Sequence, residues 1–86
     1  MSLLSNNIIP GNHGRIFGTN ATEDSDLKTI KKSITELNGI KEVVINKQIF
    51  PRELTVYTTK IMAIHEIESK VKSVGFHVIP KDNLDI

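Results

Sequence analysis

Three carboxylates lie close together in the segment "GTNATEDSDLKTI", residues 18–30: Glu23, Asp24 and Asp26. Carboxylate oxygens are the ligands that hard cations such as calcium, magnesium and manganese prefer. These three residues are therefore the candidate metal ligands of the chain. The segment lacks the spaced acidic pattern of a dedicated calcium loop, and the positive end of a following helix disfavours a bound cation.

The same acids have a structural explanation as the beginning of a helix. Thr22, Asp24 or Ser25 can cap the helix N-terminus, and acids in the first turn interact favourably with the helix dipole. Asp24 and Lys28 also have the spacing of an i, i+4 ion pair. We favour capping over a cation site, and a contact with a basic partner is the third alternative.

Composition limits the remaining classes of function. The 86 residues fit one domain, and a net charge of +1 with interspersed acids and bases gives no basic block for nucleic acid. No cysteine is present, which excludes disulfides, thiolate ligands and thiol nucleophiles and makes the cytoplasm the default compartment. The apolar runs are too short to cross a membrane, and the N-terminus does not resemble a signal peptide. We interpret residues 1–12 as a flexible lead-in, 13–80 as the folded domain and 81–86 as a polar tail.

Enzymatic and histidine-based chemistry are not indicated. The chain has no nucleophile elbow, no phosphate-binding glycine loop and no metalloprotease helix, so we predict that it is not an enzyme and needs no cofactor. The histidines His13, His65 and His77 have no H-x-x-x-H spacing, which favours ordinary surface or sheet positions over a metal site.

Two segments repeat one apolar spacing of 3, 4 and 3 positions, which places each set on one face of a helix. Each segment ends at a glycine, Gly39 or Gly75, followed by an apolar residue, as is typical where helices end. The apolar residues of both segments are predicted to form the helical side of the core: Leu27, Ile30, Ile34, Leu37, Ile64, Ile67, Val71 and Val74.

Four strands are predicted around these helices, at residues 13–18, 41–46, 53–58 and 76–80. The resulting order predicts an α+β fold, a ferredoxin-like βαββαβ sandwich. Its four-stranded antiparallel sheet carries both helices on one face, and we expect the first and third strands to lie parallel at its centre.

With this pattern, the chain resembles the heavy-metal-associated (HMA) domain family, which includes small copper chaperones and modules of metal-transporting ATPases. The resemblance rests on "IKKSITELNGIKEVVIN", "LTVYT" and "IHEIESKVKSVGF". It implies a ferredoxin-like fold and places the family's Gly-Met-Thr-Cys-x-x-Cys metal loop on "NATEDSD". Thr22 matches the threonine, whereas Glu23 and Asp26 stand at the cysteine positions. The resemblance therefore implies a degenerate metal site without thiolate metal binding.

We accordingly predict a small, non-catalytic HMA-like domain that acts as a protein-interaction module. The alternative is a metal-ion-binding or transport-related domain that uses the carboxylates of the first loop. By alternation, Phe17 and Tyr57 are predicted on the open face of the sheet, where they would contact an unknown protein partner or a second copy. Nucleic-acid binding is disfavoured because the RNP1 signature is missing and only Arg15 and Arg52 are near the aromatic pair.

Overall fold

A computed structural model describes residues 7–11 and 14–81. They form a small α+β domain with a Cα radius of gyration of 11.9 Å. The strands and helices, in chain order, are β1 (Asn7–Ile8), β2 (Arg15–Thr19), α1 (Asp24–Thr35), β3 (Ile40–Asn46), β4 (Glu53–Thr58), β5 (Met62–Ala63), α2 (Ile64–Lys72) and β6 (Val78–Pro80).

The main sheet has the strand order β3-β4-β2-β6, and every neighbouring pair in it is antiparallel. The prediction that the first and third strands of this sheet, β2 and β4, are parallel was wrong. Helix α1 returns the chain so that β3 runs in the same direction as β2, with β4 between them. Because β4 follows β3 through a reversing loop and pairs antiparallel with it, β4 must also oppose β2.

Alternation along β4 separates the two faces of the sheet. Leu54 and Val56 are completely buried on one face, and Phe17 of β2 pairs with Leu54 and is equally buried. The prediction that Phe17 lies on the open face was therefore wrong. The alternation is shifted by one position, and Ile16 lies on the open face instead. Tyr57, which follows Val56, does lie on the opposite side from the core.

Both helices contribute to the same core cluster as the strands. The predicted residues that are buried are Leu27, Ile30, Ile34, Ile64, Ile67 and Val71. Leu37 and Val74 are only partly buried, because α1 ends at Thr35 and α2 at Lys72 and both residues fall in the turns beyond.

The two predicted terminating glycines have positive φ angles, 106° at Gly39 and 93° at Gly75. After α2, the Phe76 amide donates to the Val71 carbonyl and the Gly75 amide to the Lys72 carbonyl, so carbonyls of the last turn are satisfied.

A second, two-stranded sheet joins β1 to β5, with Ile8 opposite Met62. Ile8 is 1% exposed and belongs to the core. Asn7 and Ile8 lie in the segment 1–12 that was interpreted as a flexible lead-in, and that interpretation was wrong for these two residues. Two parts of the predicted termini lie outside the described residues. They are positions 1–6 and 12 of the lead-in and positions 82–86 of the tail.

We expect Ile30→Asp to unfold the domain. Ile30 is completely buried on α1, and an unpaired carboxylate there should destabilise the domain by about 4 kcal/mol or more, much of the stability of a small domain. The matched control is Thr29→Asp at the exposed neighbouring position, for which we expect a change of only about 0.5 kcal/mol. Urea denaturation followed by circular dichroism measures both, and equal melting curves would contradict the described core.

Ile8→Ala tests whether β1 belongs to the folded domain. Truncation of this buried side chain should cost about 2–4 kcal/mol, because a cavity forms beside Met62. Ile9, which is 38% exposed, provides the control, and Ile9→Ala should change stability by about 0.5 kcal/mol or less. Identical stabilities of the two variants would show that β1 does not pack on the core.

The two glycines should differ in their response to alanine. Both substitutions strain a positive φ, at roughly 1 kcal/mol. At Gly39 the new Cβ would also lie 2.9 Å from the buried Met62 Sδ and 2.7 Å from Lys60 Cε, whereas Gly75 has nothing within 4 Å. Gly39→Ala is expected to lower the melting temperature more than Gly75→Ala, as measured by calorimetry, and the reverse order would exclude close packing at Gly39.

Candidate functional site

The acidic segment begins α1, but it does so without a side-chain cap. Glu23 is the N-cap residue, with φ −84° and ψ 145°, and its side chain makes no capping hydrogen bond. The prediction that Thr22, Asp24 or Ser25 is the cap was therefore wrong. Asp24 and Asp26 do lie in the first turn, where their charges complement the helix dipole.

Asp24 pairs with Lys47, the residue after β3, rather than with Lys28. Its Oδ1 lies 3.3 Å from Lys47 Nζ, and the two side chains are 71% and 50% exposed. An ion pair with this exposure contributes little to stability, but it joins the beginning of α1 to the end of β3. Tertiary contact replaces the predicted pairing within the helix.

The three carboxylates are not brought together as a metal site. Over the described ranges 7–11 and 14–81, no group of three or more His, Cys, Asp or Glu side chains is placed to hold a metal ion. His65 on α2 and His77 before β6 are both exposed, whereas His13 lies outside the described residues. The sequence-predicted ligands Glu23, Asp24 and Asp26 thus share a loop and a helical turn without converging.

Hydrogen bonds fix the loop after β2 against the segment before β6. Thr19 Oγ1 donates to the His77 carbonyl at 2.9 Å and accepts from the Ala21 amide at 3.3 Å. The His77 amide donates to Asn20 Oδ1 at 3.0 Å. Because Ala21 is buried as well, this loop is a fixed part of the domain.

The open face of the main sheet carries side chains that alternate with the core residues. Pairing places Ile16 beside Thr55, Thr55 beside Val44, and Glu53 beside Gly18. Lys81 extends the pairing of β6 with β2, since its amide donates to the Ile16 carbonyl, and its ammonium group forms an ion pair with Glu53. At the margins of this face, Val44 and Ile79 are exposed large apolar residues.

A groove of about 350 Å³ lies at one end of this face. Gly18 has no side chain and leaves an open floor, and Pro51 and Ile79 contribute apolar surface. His77 also lines the groove, and the ion-paired Glu53 and Lys81 complete the polar part of its wall. The groove is therefore mostly apolar, with charges that already have partners.

The loop between β3 and β4 adds exposed apolar side chains next to this groove. In this loop Phe50 is 74% exposed and Ile49 is 37% exposed, and Ile79 of β6, which lines the groove, is 71% exposed. The Arg52 guanidinium lies 5.8 Å from the centre of the Phe50 ring and donates to the Ile49 carbonyl. We call Ile49, Phe50, Pro51 and Ile79 the apolar corner.

A second groove, of about 390 Å³, runs between α1 and the outer edge of β3. One wall is the consecutive strand segment 42–45, and the other is formed by residues of α1, including Lys28 and Lys31. The Asp24–Lys47 ion pair contributes to its lining, where α1 begins and β3 ends. We call this groove the β3 edge groove.

Sequence reasoning missed the residues of both surfaces. Ile49 and Phe50 precede Pro51 in a connector between two strands, and adjacent large apolar residues in a loop are a signal that could have identified them. Lys28 and Lys31 have the i, i+3 spacing of one helix face, but only the fold places them beside β3.

In the stretch of chain with described coordinates, no helix is long and apolar enough to cross a membrane. Comparison with known proteins gave no family model, no curated protein and no solved structure that matches the chain.

Proposed function

We propose that this chain is a non-catalytic protein-interaction domain that associates with a second copy of itself through the apolar corner. The observation that carries the proposal is the exposure of Phe50 and Ile79 beside an apolar groove. Large exposed apolar side chains that lie together are a feature of protein interfaces, because their burial on association is favourable.

The scaffold of the proposal is a ferredoxin-like βαββαβ sandwich related to HMA domains. The strand order β3-β4-β2-β6, with α1 after β2 and α2 before β6, supports this arrangement. The shared core of both helices with the strands supports packing of the two helices on one face. The absence of cysteine from the whole sequence is why the proposal contains no thiolate-bound metal.

Charge favours a second copy as the occupant of the apolar corner. Glu53 and Lys81 neutralise each other beside the groove, and Arg52 is placed against the Phe50 ring. The corner therefore presents no row of like charges that would repel its own copy. In a two-fold contact the same patch faces itself, so Phe50 of each protomer can pack on the groove beside Ile79 of the other.

The alternative function, binding of a hard cation by Glu23, Asp24 and Asp26, receives no comparable support. Calcium typically requires six to eight oxygen ligands, and the described residues offer no convergent group of acids. Asp24 is also engaged by Lys47.

Sedimentation of the protein from micromolar to millimolar concentration tests the proposed association. We expect a dimer whose dissociation constant rises roughly thirtyfold or more in the double variant Phe50→Ser, Ile79→Ser, since the loss of two apolar anchors removes about 2 kcal/mol or more. Ile61→Ser, at a 54% exposed position preceding β5, is the control and should leave the dimer unchanged. A monomer at every concentration would refute the proposal.

Gly18→Val provides an independent test of the groove. A Cβ at this position would lie 4.0 Å from the Ile79 carbonyl oxygen, an ordinary contact, so the domain should fold normally. The added side chain would fill the groove floor and weaken the dimer, as measured by the same sedimentation experiment. Unchanged association would show that the groove is not part of the interface.

A further inference from the structure

We infer that the β3 edge groove binds an extended, acidic polypeptide segment, which adds to the main sheet as a fifth strand beside β3. The inference is independent of self-association at the apolar corner, because it rests on another strand and on other side chains. Its basis is the combination of an open strand edge, a groove along that edge and an excess of lysines beside it.

The edge of β3 is free to form hydrogen bonds over the part of the chain that the structure describes. β3 is seven residues long, and it pairs with β4 on one side only. A strand at the edge of a sheet presents a row of backbone donors and acceptors to another extended chain. The opposite edge, β6, is only three residues long and includes Pro80, which has no amide proton to donate.

The groove has the position that an added strand would occupy. Segment 42–45 of β3 lines it continuously, so the groove follows the backbone rather than a single side chain. Helix α1 forms the other wall, and alternate side chains of an added strand would point toward that helix. On the other face, Val44 is 43% exposed and offers an apolar contact for the remaining side chains.

The described lining of the groove contains more lysines than acids, three against two. The ion pair between Asp24 and Lys47 leaves two lysines, Lys28 and Lys31, and one acid, Glu42, in the lining. Lys32 lies with Lys28 and Lys31 along the neighbouring surface of α1. The charges of these lysines complement acidic side chains on the helix side of an added strand.

The same charges argue against two other occupants. A second copy paired through β3 would bring the lysine rows of two protomers toward each other, which is unfavourable. Single-stranded nucleic acid would find cationic side chains, but none of the described residues that line the groove is an aromatic on which bases could stack. An acidic polypeptide can form backbone hydrogen bonds with β3 and ion pairs with the lysines.

Peptide titration tests the inference directly. The probe is a fluorescent heptapeptide in which Glu alternates with Val, and its binding is measured by anisotropy. One control peptide replaces Glu by Lys, and a second keeps the acidic sequence but has N-methylated backbone amides. We expect only the unmethylated acidic peptide to bind, with amide chemical-shift changes in 41–46 rather than in the apolar corner.

Variants of the protein separate charge from fold. Lys28→Glu, Lys31→Glu should weaken peptide binding about fivefold to tenfold, because two exposed ion pairs are lost. Lys60→Glu, Lys72→Glu makes the same change of charge at two residues outside the groove lining and should change affinity by less than about twofold. Circular dichroism shows whether charge reversal impairs folding. If it does, the neutral variant Lys28→Gln, Lys31→Gln replaces it and is also expected to weaken peptide binding.

Five results would overturn the inference. The first four are equal binding of the lysine or N-methylated peptide, tighter binding of a single-stranded RNA oligomer, shifts confined to the open face, and an affinity that is unchanged in both variants of Lys28 and Lys31. A dimer that is broken by peptide binding at 41–46 would likewise assign the edge to a second copy. These variants leave the apolar corner unchanged. A negative result in the peptide titration therefore does not affect the sedimentation test of the proposed dimer.

Discussion

The pairing of Phe17 with Leu54 across the two central strands is the constraint on which the rest of the structure depends. Side chains alternate along a strand, so this one register determines the face of every residue in β2 and β4. It sends Phe17, Leu54 and Val56 to the helices and leaves Ile16, Gly18 and Glu53 on the open face. A slip by one position would place Phe17 in solvent and Gly18 in the core, and it would eliminate the groove together with the packing.

The two proposed surfaces follow from the same sheet but differ in physical character. The apolar corner has charges that are matched within the molecule, so association there depends on apolar burial and is compatible with two-fold symmetry. The β3 edge groove has hydrogen-bonding backbone and an excess of lysines, which select a strand of opposite charge. The two grooves share no lining residue among those described.

Strong periodicity was readable from the sequence, whereas short or tertiary features were not. The strand β4 was predicted at its observed bounds because "ELTVYT" alternates over six residues, and the helix faces followed from the repeated apolar spacing. Two-residue strands such as β1 and β5 have no period to detect, so the burial of Ile8 was missed. Phe17 was assigned to the wrong face because β2 is short and contains a glycine. With no side chain at Gly18, the sequence offers too few residues to show which face is apolar. The β3 edge groove joins Lys28 to segment 42–45, and only the fold creates that proximity.

The loop after β2 is fixed to the segment before β6, and together they line the groove on the open face. The Asn20 side chain accepts a hydrogen bond from the His77 amide, and Thr19 Oγ1 donates one to the His77 carbonyl. Ala21, the next residue of the loop, is buried. These contacts join the two loops that flank the groove over Gly18, since Thr19, Asn20 and His77 all line it. Residues 19 and 20, which precede the acidic segment, thus hold the backbone of His77 in place at the wall of the groove.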